Sequence, residues 1–71
     1  ECWIEIYVDE KIVEAQLFNA EDIYKTEIMM PFTVIVGNAD YVNGTYNGDV
    51  IDFITDANRL TRVNTINFTD E

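Results

Sequence analysis

An Asn-Gly pair set between two β-type runs is the feature that most limits what this chain can fold into. At Asn47-Gly48 the pair follows Thr45-Tyr46 and precedes Asp49-Val50-Ile51. A two-residue hairpin loop of type I′ needs φ > 0 at both central positions, and Asn-Gly satisfies that at the least steric cost. A second pair, Asn43-Gly44, lies just upstream, and both cannot turn one continuous ladder. Asn47-Gly48 has the better flanks, so Gly44 falls within a strand, marking a bulge or a close backbone approach. Before both stands Pro31, then Phe32-Thr33-Val34-Ile35-Val36, apolar at almost every position. This run reads as a central strand buried on both faces. Gly37-Asn38 turns the chain after it.

The remaining segments carry a period of two. Cys2, Ile4, Ile6 and Val8 alternate with Trp3, Glu5 and Tyr7, which places the two sets on opposite faces of a first strand. Asp9-Glu10-Lys11 is a tight polar turn. Ile12 to Phe18 follows as a second strand, with Val13, Ala15 and Leu17 opposite Glu14 and Gln16. Glu, Ala, Gln and Leu also favour helix, but the preceding turn and the clean alternation select strand. Asn19 to Asp22 is a loop. Ile23 to Met29 alternates again, with Tyr24, Thr26 and Ile28 inward, and Met30-Pro31 ends it. Tyr41 to Tyr46 and Val50 to Ile54 form the hairpin about Asn47-Gly48, Thr55 to Asn58 is a loop, and Leu60 to Thr69 closes the sheet. In that last run Val63, Ile66 and Phe68 slip by one position, the mark of a bulge. Short strands at regular intervals predict one all-β domain over residues 1–71, a small antiparallel sandwich or barrel of about six to seven strands.

Size sets the next limit. Conformational entropy opposes the folding of 71 residues by on the order of 100 kcal/mol, so most of the apolar side chains must go inside. A hydrophobic content of 48%, with four Phe and four Tyr, is enough to attempt it, and disorder is excluded on that ground. The charge is −10, from 14 Asp and Glu against four Lys and Arg. Lys11, Lys25, Arg59 and Arg62 are too few and too scattered to track a phosphate backbone, which argues against nucleic acid as a partner. An anionic membrane surface would repel the domain as well. The acidity itself reads as a solubility device. No apolar run approaches the ~20 residues of a membrane helix. The opening Glu1-Cys2-Trp3, without Met, suggests a piece excised from a longer protein.

Catalytic chemistry finds little to work with. The chain contains neither His nor Ser, so Ser–His–acid triads, Cys–His pairs and His-ligated metal sites are all impossible. Cys2 is the only cysteine; it has no disulfide partner and reads as a small core residue of the first strand. Asp49 and Asp52 fall on opposite faces of a strand. Asp52 and Asp56 could approach around a loop, but a retaining glycosidase pair needs about 5 Å separation within a cleft. Asp40, Asn43, Asn47 and Asp49 lack the register of a calcium loop. Asn43-Gly44-Thr45 and Asn67-Phe68-Thr69 match the glycosylation sequon, a match frequent by chance in a Thr-rich chain. No catalytic, cofactor or metal residue is assigned. The candidate interaction surface is aromatic: Trp3 and Tyr7 on the non-core face of the first strand, and Tyr41 facing outward if Val42 and Tyr46 face in. A second sheet laid over them would make the same residues core.

Taken in order, Cys2-Trp3-Ile4-Glu5-Ile6, a turn with Lys11, Pro31-Phe32, Val36-Gly37-Asn38-Ala39, Val42, Thr45-Tyr46-Asn47-Gly48 and Ile51-Asp52-Phe53 resemble the C-terminal domain family of RodZ, the bacterial cell-shape protein. The resemblance spans nearly the whole chain and rests on order and spacing. The chain departs from the pattern at Asp9-Glu10-Lys11, where Gly is usual, at Gly44, where an aliphatic residue is usual, and in Val63–Phe68, which lacks an Arg. The resemblance implies a non-catalytic interaction or scaffold module outside the inner membrane. Its parent would span the membrane once and bind the MreB filament through regions absent here, linking that cytoskeleton to wall synthesis. Implied partners are wall-synthesis membrane proteins on the extracytoplasmic side, or further copies of the domain. A peptidoglycan-binding domain is the alternative reading.

Overall fold

Asn47 and Gly48 stand at φ 51° and 84°, so the Asn-Gly pair turns its hairpin as the sequence requires. The computed structural model describes residues 1–69; the last two positions of the expected domain lie outside the described residues. Six strands follow one another: β1 (Cys2–Val8), β2 (Lys11–Phe18), β3 (Phe32–Val36), β4 (Thr45–Tyr46), β5 (Asp49–Val50) and β6 (Asn64–Phe68). A single 3₁₀ turn at Ala39–Tyr41 connects β3 to the hairpin. The strands form a four-stranded sheet in the order β2-β1-β3-β6 and a two-stranded one, β4-β5, all antiparallel. The all-β class is as expected. Of the two architectures read from the sequence, the closed barrel is not formed.

The core lies between the four-stranded sheet and the chain from Ala39 to Ala57. Ile6, Phe32, Val34 and Val36 point into it from the sheet, and Ala39, Phe53 and Ala57 meet them from the other side. Burying an aliphatic or Phe side chain of this kind contributes roughly 1.5–3 kcal/mol. An aromatic trio closes one end: Phe32 stacks on Phe68 with centroids 4.5 Å apart, and Tyr46 meets Phe32 edge-on at 5.1 Å. Gly44 sits where an added Cβ would lie 3.3 Å from the Phe53 ring. The close approach expected at this glycine is therefore to a side chain, and no bulge is needed.

The first hairpin reaches the same turn geometry without Gly. Asp9 and Glu10 stand at φ 53° and 65°, both left-handed, which matches the right-handed twist of the flanking strands. A register shift between Ile6 and Tyr7 pairs Ile6 with Glu14 but Tyr7 with Ile12, so Val13 is the extra residue of a bulge in β2. Beyond it, Ala15 and Leu17 lie across from Glu5 and Trp3. The apolar set of β2 is thus on the side of the sheet away from the core.

Four expected strands differ. Ile23 to Met29 is irregular: alternation supplies an amphipathic segment, but it pairs with neither edge strand, β2 or β6; of its inward set, Ile28 packs on the core and its carbonyl accepts from the Tyr46 hydroxyl at 2.8 Å. The run expected over Tyr41 to Tyr46 shortens to Thr45–Tyr46, since the left-handed Asn38 at φ 63° starts the 3₁₀ turn. The partner expected over Val50 to Ile54 shortens to Asp49–Val50: Asp52 Oδ1 accepts from the N–H groups of Ile54 and Thr55, both at 3.0 Å, and bends the chain. Leu60 to Val63 likewise stays outside β6, where Asn58 Oδ1 accepts from Leu60 and Thr61 N–H at 2.8 and 2.9 Å. The slip read there as a bulge has another cause. Asn64, not Val63, is the buried inward residue, and its Nδ2 donates to the Phe53 carbonyl at 2.9 Å. Finally, β3 is central but buried on one face only: Phe32, Val34 and Val36 are buried, Thr33 and Ile35 half-buried.

Candidate interaction surface

The alternation that sends Ile4, Ile6 and Val8 toward the core sends Trp3, Glu5 and Tyr7 to the opposite face. Register extends that face across the sheet. Leu17 lies beside Trp3, Ala15, Ile35 and Thr65 line up with Glu5, and Ile12, Thr33 and Asn67 line up with Tyr7. No layer covers it among the described residues. Trp3 is 41% exposed, Leu17 47% and Ile12 55%, values that separate these side chains from the core. The second sheet that would have buried Trp3 and Tyr7 is absent from this side.

Glu5 organises the face. Trp3 Nε1–H donates to Glu5 Oε2 and the Tyr7 hydroxyl donates to Glu5 Oε1, each at 2.7 Å. These bonds, the indole's first, hold the Glu5 carboxyl below its ordinary pKa. The same carboxylate raises the Tyr7 hydroxyl above its own. The three side chains form one strip along β1, an ionised carboxylate with an aromatic ring on either side. Trp3 Cβ also lies 3.5 Å from where a Gly37 Cβ would stand, and the Gly37 N–H donates to the Trp3 carbonyl at 2.7 Å. This bond anchors the start of β1 to the end of β3. Toward the Asp9-Glu10 turn the face dips into a depression of about 520 Å³, lined in part by Tyr7, Asp9, Glu10, Thr33, Ile35 and Asn67.

The charge distribution sets this face apart. Among the described residues, Glu5 is the one Asp or Glu at an outward position of the four-stranded sheet, and no Lys or Arg stands at one. Aromatic side chains with few charges are the composition of an interface centre.

Tyr41 is elsewhere. It belongs to the 3₁₀ turn, is 75% exposed, and borders a larger space of about 910 Å³ that reaches Ile4, Ile6 and Phe18 on the core side of the sheet. Val42 and Tyr46 pack on the core and Tyr41 faces outward, set there by the 3₁₀ turn and not by strand alternation. Its neighbour Asp40 pairs with Arg62, whose Nε donates to Asp40 Oδ2 at 2.8 Å. That contact lowers the Asp40 pKa and raises that of Arg62, and it ties the 3₁₀ turn to the turn before β6. The structure therefore brings Trp3 and Tyr7 together and leaves Tyr41 apart. Sequence reasoning missed Glu5, Ile12, Leu17 and Ile35. Only the strand order, which cannot be read from one strand's alternation, joins them to Trp3.

The other acidic groups have local duties. Asp52 caps the turn at Ile54–Thr55, and the hydrogen bonds from Thr55 and Ile54 lower its pKa. No group of three or more potential metal ligands is found among the described residues. Cys2 is half-buried and unpaired, with Sγ 3.7 Å from the Asn38 carbonyl oxygen. No helix among the described residues is long and apolar enough to cross a membrane.

The chain is a small two-sheet β domain whose distinctive surface is a flat, charge-poor sheet face. Its family follows from comparison: a family model described as the RodZ C-terminal domain matches residues 1–68, and the chain belongs to that family. Comparison with curated proteins and with solved structures gives no match.

Proposed function

We propose that this domain is a non-catalytic contact module of a single-pass rod-shape protein, acting on the extracytoplasmic side of the inner membrane. There it docks wall-synthesis membrane proteins, while other parts of the parent chain engage the MreB filament. Family membership supports the setting. The observation that carries the docking role is the uncovered face of the four-stranded sheet, with Trp3 and Tyr7 fixed on Glu5. A buried, well-packed face would need no such polar anchoring, whereas a rigid aromatic presented to a partner loses little entropy on binding.

The test is co-purification from cells producing the full-length protein. Trp3→Ala combined with Tyr7→Ala is expected to abolish recovery of wall-synthesis proteins and to round the cells, with Tyr41→Ala leaving both unchanged. Unchanged recovery and shape in the Trp3/Tyr7 double variant would overturn the assignment. One observation favours a second reading: an exposed indole on a flat face is also a platform on which a sugar ring can stack. Incubation with purified sacculi separates the two. Pelleting of the domain that is lost in Trp3→Ala would replace the protein-docking reading with peptidoglycan binding.

A further inference from the structure

We infer that the Trp3–Glu5–Tyr7 strip is an arginine-receiving clamp, and that the partner docking on this face presents a guanidinium among apolar side chains. The inference rests on the docking role proposed above and adds the chemistry of the occupant.

Geometry comes first. Glu5 uses one lone pair on each oxygen for Trp3 and Tyr7. An ionised carboxylate has about four acceptor positions, so each oxygen keeps capacity for a further donor. Alternate residues of a strand share one face, which puts the two rings on either side of the carboxylate. A cation lowered onto Glu5 therefore comes to lie beside both rings. Guanidinium suits this place better than ammonium, because its planar fork matches a carboxylate and stacks on aromatic rings. The apolar side chains of the partner then have Leu17, Ile12 and Ile35 beside the clamp.

Charge supplies the independent argument. Among the described residues the carboxylate at the centre of the face has no cationic partner: the ion pair found there is Arg62–Asp40, away from this face. Asp9 and Glu10, both exposed, border the depression at its end. The net charge of −10 attracts a cationic segment from a distance and repels a second copy of this domain.

The single Trp of the chain gives a direct readout, since the Trp3 indole N–H that would report binding is the one bonded to Glu5. The probes are two capped synthetic peptides, one alternating Leu and Arg, the other Leu and Gln, titrated into the 71-residue chain and followed by amide and indole NMR. The Leu/Arg peptide is expected to shift the Trp3 indole signal and the Tyr7 and Ile35 amides saturably, about tenfold more tightly than the Leu/Gln peptide. Added salt should narrow that gap. Glu5→Gln should close most of that gap, leaving only the part that the remaining net negative charge supplies. Thr65→Lys, at an exposed position of the same cross-strand row, should weaken the Leu/Arg peptide severalfold without touching the clamp.

Equal affinity of the two peptides for the unaltered chain would overturn the arginine assignment while leaving the face a docking surface. Shifts confined to the Tyr41 side would overturn both. No response to the Leu/Arg peptide, alongside a response to soluble peptidoglycan fragments, would replace a protein partner with a glycan one. The same signals moving with protein concentration alone would name a second copy as the occupant.

Discussion

The two faces of the four-stranded sheet are built from one set of strands and end in opposite circumstances. Ile4, Ile6, Val34, Val36 and Ile66 pack against the hairpin and turns that follow. Trp3, Glu5, Tyr7, Ile35 and Leu17 occupy the alternate positions and meet no second layer. Both faces are largely apolar, so hydrophobicity alone does not say which is the core. Their polar handles do. The inner face is aliphatic and Phe-rich, with one buried polar side chain, Asn64, satisfied by the Phe53 carbonyl. The outer aromatics each carry a donor, and both donors end on one ionised carboxylate. The inner face sets stability, and the outer one holds side chains in a fixed arrangement at the surface.

The sharpest way to break this contrast is to compare truncations at neighbouring residues of β1. Ile6→Ala should cost about 2–5 kcal/mol in urea unfolding, since Ile6 is 6% exposed and leaves a cavity. Next in size is Asn64→Ala, which strips the Phe53 carbonyl of its buried donor and should cost about 1–3 kcal/mol. Glu10→Gly moves the other way. It relieves a left-handed non-glycine residue at φ 65° and should raise stability by about 1 kcal/mol. Trp3→Ala should cost about 1 kcal/mol or less, because the indole is already at the surface. A loss equal to that of Ile6→Ala would show that Trp3 is core and would end the distinction between the faces.

The smallest effect is in the pH profile, and its sign is fixed. Hydrogen bonds lower the Glu5 pKa in the folded chain, so the stability they contribute is complete above the unfolded value and is lost as pH falls through the lowered folded one. Tyr7 behaves in the opposite sense. Its raised pKa gives stability that is present below the unfolded value near 10 and is lost as pH rises through the folded one. Glu5→Gln should flatten both limbs of the stability–pH curve, measured by thermal unfolding. Retention of the alkaline limb in that variant would show that Tyr7 owes it to another group.

What was legible in the sequence follows the range of the forces involved. Local chemistry came through: Asn47-Gly48 turns a hairpin because its backbone requirement is met within two residues, and the faces of β1 are fixed by its own alternation. Elements that depend on a distant partner did not. Ile23 to Met29 has the pattern of a strand but pairs with neither open edge of the four-stranded sheet. Asn64 replaces Val63 in the core because the Phe53 carbonyl, remote in sequence, needs a donor. The candidate surface divides in the same way. Trp3 and Tyr7 are visible from the pattern of one strand, while Leu17, Ile35 and the separation of Tyr41 depend on strand order and on the 3₁₀ turn begun by Asn38.

The interior position of β1 has a mechanical consequence. This strand is paired along its length with β2 on one side and from Ile4 to Tyr7 with β3 on the other, and antiparallel hydrogen bonds lie perpendicular to the strand. A pull applied at residue 1 along β1 therefore loads both ladders in shear, so their bonds resist together instead of opening one after another. Under such tension the sheet would hold until two ladders slipped at once, keeping the Trp3–Glu5–Tyr7 strip intact.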